Sequence, residues 1–275
     1  MSDLDTSMPG DGTTPERAPI TRSFPALRTI AALVLREMTT RFGRKPGGYI
    51  WAVLQPLGQI LLLAAAFALL QRTPSLGTSF ILFKATGMLP FGMFRQPANM
   101  VGKSLSYSRQ LLVYPGVTWL DAAFARLFLN TLVLIVVMVL ILSGIILYEG
   151  LSLILDWGMI LGSIALTILL AMGIGVFNMF MGERFDVYDN IWGILTSPLM
   201  IVSGVLFLYD DLPGFAQDIL WYNPLVHTVG MMRAGFYSVY EPQYISVTFV
   251  LLCSLIPMVM GLMLMRRHHR MLLSR

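Results

Sequence analysis

Two cations stand inside otherwise chargeless apolar sequence, Lys84 and Arg95. They are eleven residues apart, about three helical turns, so a regular helix puts them on one face with Phe91 between them. A cation at that depth either attracts acidic groups or turns back toward its nearer interface. Phe94 lies beside them, and Trp51, Trp192, Trp221 and Tyr222 occur in or at the ends of the other apolar runs. Such faces offer stacking surfaces for a ligand, and they equally suit packing or a membrane boundary. A second basic group comes earlier: Arg36, Arg41, Arg44 and Lys45. Its chemistry suits phosphate, on a glycolipid or on ordinary anionic lipid.

Other chemistry is missing. No Asp, Glu or His falls in the middle of an apolar run, so no titratable group is placed to bind a coupling ion. No GxxxxGK[ST] loop occurs, so the chain holds no nucleotide in that way. Gly173-x-Gly175 follows no strand and reads as helix packing. His268-His269 sits among arginines, which repel a metal, and His227 has no partner at a telling spacing. Asp210-Asp211 precedes a Pro-Gly turn and reads as a cap or solvated turn. The single Cys253 excludes a disulfide within the chain. No catalytic residue, metal site or cofactor of its own is expected, and the chain does not read as an enzyme.

The elements that carry these residues follow from composition. Of 275 residues, 56% are hydrophobic and 12% charged, against about 25% charged in a soluble domain. The net charge of +4 is spread over the ends and short loops; it reads as membrane topology and not as a nucleic-acid surface. Residues 1–23, rich in Pro, Gly, Ser, Thr and Asp, lack an apolar core and read as a disordered tail. Over 24–45, Leu27, Ile30, Val34, Met38 and Phe42 recur at three or four residues, giving an amphipathic helix for the membrane surface or a partner protein. Pro46-Gly47-Gly48 then breaks the chain. The next run, about 49–71, is long enough to cross about 30 Å of hydrocarbon.

Five more spans are predicted, at about 79–101, 119–147, 157–181, 190–208 and 245–265, all within a 46–265 membrane domain. The second is unusual, with Gly87, Pro90, Gly92 and Pro97 beside its two cations; such interruption needs neighbouring helices or water to satisfy it. Residues 209–244 are broken at Pro213-Gly214 and Asn223-Pro224 into pieces that suit re-entrant or interfacial half-helices. Residues 266–275 form a basic tail. The fold class is an all-α polytopic membrane protein. Seven cations between Arg17 and Lys45, then Lys103, Arg109, Arg184, Arg266, Arg267, Arg270 and Arg275, fall on one side. Arg72 and Arg233 fall on the other, with six carboxylates. This asymmetry places both termini in the cytoplasm.

The segment TRFGRKPGGYIWAVLQPLGQ, with Arg41, Arg44, Gly48, Tyr49, Trp51 and Pro56, resembles the entry to the first span of ABC-2-type permeases. Three later segments agree in order and spacing: LLVYPGVTWL (111–120), RFDVYDNI (184–191) and WYNPLVHTVGMMRAGFY (221–237). Within the family, the chain most resembles the capsule-export branch. In one departure, Gly116 follows Tyr114-Pro115 where a charged residue is usual. The resemblance implies a homodimer in the bacterial inner membrane with two separate ABC ATPase subunits, which hold ATP and Mg. It implies a coupling helix within 103–117, with Lys103, Ser104, Leu105, Tyr107, Arg109, Leu111, Tyr114 and Pro115 meeting the ATPase. The substrate would be a lipid-linked capsular polysaccharide, passed to periplasmic and outer-membrane partners. Alternatives are O-antigen, teichoic acid, drug or lipid export by the same machinery, or a membrane enzyme of glycan or lipid metabolism.

Overall fold

A computed structural model describes residues 25–41, 48–70, 73–108 and 118–273, and every regular element within them is helical. In order these are α1 (Pro25–Arg41), α2 (Gly48–Leu70), α3 (Phe80–Gly102), α4 (Ser104–Ser108), α5 (Trp119–Glu149) and α6 (Trp157–Arg184). Then come α7 (Tyr188–Met200), α8 (Gly214–Leu220), α9 (Pro224–Phe236) and α10 (Val247–Leu273). A π-helical turn, Ile201–Val205, prolongs α7, and a 3-10 turn covers Tyr209–Asp211.

Local chemistry starts these helices where they start. Ser79 accepts from Leu82 N ahead of α3, and Asp156 accepts from Gly158 N and Met159 N ahead of α6. Thr118 and Asp121 form a reciprocal capping box at α5. Asn223 caps α9, with Pro224 as its first residue. Each side chain satisfies amides that a helix start leaves free.

Four of the described helices, within α2, α5, α6 and α10, are long and apolar enough to cross a membrane. α3 and α7 fall outside that set. α3 carries Lys84, Arg95, Gln96, Asn99 and two prolines, and α7 has 13 residues before its helix distorts. α3 tolerates its polar groups because it is packed against α2, α5, α6 and α9. Lys84, Gln96 and Asn99 therefore meet protein groups where a peripheral helix would meet lipid, while Arg95 faces a cleft. α2, by contrast, is mostly exposed. α6 is the other central helix, packed on α3 and α10. A Cβ at Gly173 would collide with the backbone carbonyl of Ser254 on α10, and one at Gly175 would stand 2.8 Å from Val101 Cβ on α3. The Gly-x-Gly pair thus serves close helix approach on two sides.

α1 packs on α5. Ile30, Val34 and Met38 are half-buried, while Arg28, Leu35 and Arg36 are exposed. Its apolar stripe is therefore turned away from the open side, and the same chain supplies the neighbouring helix. At the other terminus α10 continues through Arg266 and Arg267, with Met265 fully buried.

Candidate functional site

A cleft of about 1130 Å³ lies between α2 and α3, closed behind by Val133, Leu134 and Val137 of α5. Its α2 wall presents Trp51, Gln55 and Gln59, and its α3 wall presents Phe91, Arg95, Gln96 and Asn99. Gln55 and Gln59 are one turn apart, as are Arg95 and Asn99, so each helix offers a short polar row. Arg95 is half-buried, and Trp51 is 65% exposed at the rim. The site therefore combines one cation, several amides that both donate and accept, and aromatic faces, in a largely apolar wall. That set matches a hydroxyl-rich ligand carrying negative charge.

The remaining candidates for a path lie elsewhere. Phe94 is 1% exposed and sits in the core with Leu170, Val205 and Leu225. Trp192 of α7 donates its Nε1–H to Asn99 Oδ1 at 2.7 Å, tying α7 to the cleft wall. Trp221 donates to Tyr244 O at 3.1 Å and packs against His227 and Phe249. Tyr222, next to it, is exposed. His227 is fully buried; Nδ1 accepts from Ser246 N, so Nε2 carries the proton and donates to Trp221 O at 2.8 Å. That arrangement holds α9 to its flanking connections. Tyr240, in the connection to α10, donates to Asp210 Oδ2 at 2.8 Å. Burial first, then Tyr244 and Asp210, holds its phenol well above the ordinary range, so it remains a donor.

Lys84 is also drawn away from the cleft. It is 1% exposed, lies 3.4 Å from the Phe67 ring centroid, and donates to Leu206 O at 2.8 Å. Arg233, counted above with the outer loop charges, is in fact buried within α9 at 2% exposure. It donates to Phe207 O at 2.7 Å and to Val205 O at 3.2 Å, stacked 4.1 Å from the Phe83 ring centroid. Asn223 donates to Val202 O at 3.0 Å. The reason is the break after α7: Gly204 takes φ +74°, the helix ends, and its last carbonyls lose their amide partners. Two cations and an amide from α3 and α9 replace them, at the negative end of a helix.

A family model described as ABC-2 type transporter matches residues 28–237, most of the chain and all of the helices that form the cleft and the break. The chain belongs to the ABC-2 type transporter family. It is 30% identical to the polysialic acid transport protein KpsM of Escherichia coli, over 90% of this chain and 95% of that one. It is 28% identical to the capsule polysaccharide export inner-membrane protein BexB of Haemophilus influenzae, over 87% and 90%. It is 27% identical to the capsule polysaccharide export inner-membrane protein CtrC of Neisseria meningitidis, over 87% and 91%.

In this ABC-2 chain Lys103 follows the end of α3, and α4 packs on α5 and α6. Lys103 Nζ lies 3.8 Å from Asp189 Oδ2, half-exposed on both sides, a contact that water weakens. Ser104 and Leu105 are buried in α4, and Ser104 Oγ lies 3.0 Å from Met179 Sδ of α6. Tyr107 is exposed. Arg109, Leu111, Tyr114 and Pro115 lie outside the described residues, as do Arg44 and Lys45. Arg36 is exposed on α1, and Arg41 is its last residue.

Three groups of this ABC-2 site were not singled out from sequence. Gln55 and Gln59 had a usable signal, two amides one turn apart in a chargeless run. Asn223 and Arg233 lay in a segment noted for its family pattern, whose structural purpose is the helix break. Gln96 and Asn99 had none, because only their position opposite α2 makes them lining residues.

Proposed function

We propose that this chain is the permease subunit of an ATP-driven exporter of lipid-linked capsular polysaccharide, in the bacterial inner membrane. The observation that carries this reading is the α2–α3 cleft, where Arg95 and the amides of Gln55, Gln59, Gln96 and Asn99 face one space beside Trp51. Amides exchange hydrogen bonds with hydroxyls, and Arg95 favours acidic units in the polymer. The relatives named above, at 27–30% identity over most of the chain, support the same substrate class.

The subunit crosses the membrane six times, with α3 and the α7 segment as the two less apolar spans. α8 and α9 are re-entrant or interfacial helices, and both termini are cytoplasmic. Two copies form the pathway. Two ATPase subunits, which hold ATP and Mg, press on residues 103–117, and the movement advances the polymer toward periplasmic and outer-membrane partners. The basic residues of α1 and the break after it hold the glycolipid phosphate or anionic lipid.

The test is purification of the chain from its native membrane followed by reconstitution. Copurified ATPase and ATP-dependent export of a lipid-linked polymer are expected. Transport against a gradient by this chain alone, without ATP, would overturn the reading.

A further inference from the structure

Arg126 of α5 stands where three helices meet. Its terminal nitrogen lies 3.2 Å from Glu37 Oε2 on α1, and its guanidinium carbon lies 4.8 Å from the Tyr107 ring centroid on α4. The two partners use different parts of a planar cation: an edge toward the carboxylate and a face toward the ring. The Arg126 and Glu37 side chains are 11% and 19% exposed. Water therefore screens this pair far less than it screens a pair on an open surface.

The contact continues inward. One turn along α5, Asn130 is fully buried and donates to the Arg126 carbonyl at 2.7 Å. Asn130 Oδ1 accepts from Gln96 Nε2 at 3.4 Å, and Gln96 lines the cleft. Tyr107, Glu37, Arg126, Asn130 and Gln96 thus join α4, α1, α5 and α3 in one contiguous polar line. α4 begins one residue after α3 and carries the described residues of the 103–117 segment beyond Lys103.

We propose that Arg126 is a positioning residue that transmits displacement of α4 to α1. The joint rests on the reading of 103–117 as the segment moved by the ATPase, and its moving contact is one side chain. When α4 shifts, the Tyr107 face under the guanidinium shifts with it. The guanidinium follows, and Glu37 carries α1. The helix that borders the membrane surface then moves in step with the cleft wall.

The experiment uses the chain assembled with its ATPase in proteoliposomes, with ATP hydrolysis, polymer export and thermal midpoint measured on the same preparations. The variants are Arg126→Gln, Glu37→Gln, Tyr107→Phe, Tyr107→Leu, and the exchange of Glu37→Arg with Arg126→Glu. Hydrolysis and midpoint stay near wild type in Arg126→Gln and Glu37→Gln, while export per ATP falls about fivefold or more; Tyr107→Leu lowers export per ATP at least as far. Tyr107→Phe, which keeps the ring, keeps the coupling. The exchange restores part of it. Unchanged export per ATP in Glu37→Gln and Arg126→Gln would overturn the joint. So would parallel loss of hydrolysis, export and midpoint with no recovery in the exchange, the mark of a purely structural pair. A wild-type complex that hydrolyses ATP without exporting polymer would overturn the permease reading, and the joint with it.

Discussion

The guanidinium of Arg233 donates to the Phe207 carbonyl at 2.7 Å across 26 residues of sequence, and neighbouring Val205 and Leu206 give their carbonyls to Arg233 and Lys84. Three successive backbone oxygens are thus held by two buried cations. This reverses the usual concern about charge in an apolar interior. Here the backbone needs the cations, because a helix that breaks away from water exposes carbonyls nothing else can reach.

Removing one cation tests that account. Arg233→Leu leaves two carbonyls without partners and is expected to lower unfolding stability in detergent by about 2 kcal/mol or more. Lys84→Met frees one carbonyl and is expected to cost about half as much. Equal stability in Arg233→Leu and wild type would mean that water replaces the guanidinium.

The break itself has a conformational requirement. Gly204 sits at φ +74°, a region where a side chain crowds the following carbonyl. Gly204→Ala is expected to lose about 1–2 kcal/mol, read as a lower thermal midpoint, although open space surrounds that position.

Close helix approach predicts a matched pair. Gly173→Ala drives a methyl against the Ser254 backbone, which cannot swing aside as a side chain would. About 1–3 kcal/mol of destabilisation is expected, or failure to assemble. Gly144→Ala on α5 meets nothing within 4 Å and is expected to leave the midpoint unchanged or slightly higher.

Arg95 separates binding from folding. It lines the cleft, and the ion pairs seen among the described residues do not include it. Arg95→Ala is expected to change stability by no more than about 0.5 kcal/mol. Export of an acidic polymer should nevertheless fall about tenfold, the loss of one charge-assisted contact. Arg95→Lys keeps the charge but not the fork, and should fall between. Full export by Arg95→Ala at wild-type abundance would remove Arg95 from the path.

Much of the architecture was legible in the residues. Predicted helices at 49–71, 119–147 and 157–181 match α2, α5 and α6 to within three residues at each end, because a long chargeless run has few other stable forms in hydrocarbon. The helix start at Asn223-Pro224 was equally plain, since proline and an Asn cap start a helix by local geometry alone. The place of Arg233 was not legible. Its segment is polar enough for a loop, and nothing in it reveals that α9 folds back against α3 and the break after α7.

From the residues alone came a membrane chain with a cation pair in one helix, no titratable relay and no nucleotide loop, since each follows from side-chain chemistry and helical period. Tertiary structure alone decided what each cation does. Lys84 and Arg95 lie on one stripe of α3, yet Lys84 meets a broken helix end and the Phe67 ring, while Arg95 meets open space opposite Gln55 and Gln59. A side chain's period sets the direction it leaves its own helix; the fate of its charge depends on what another part of the chain has placed there.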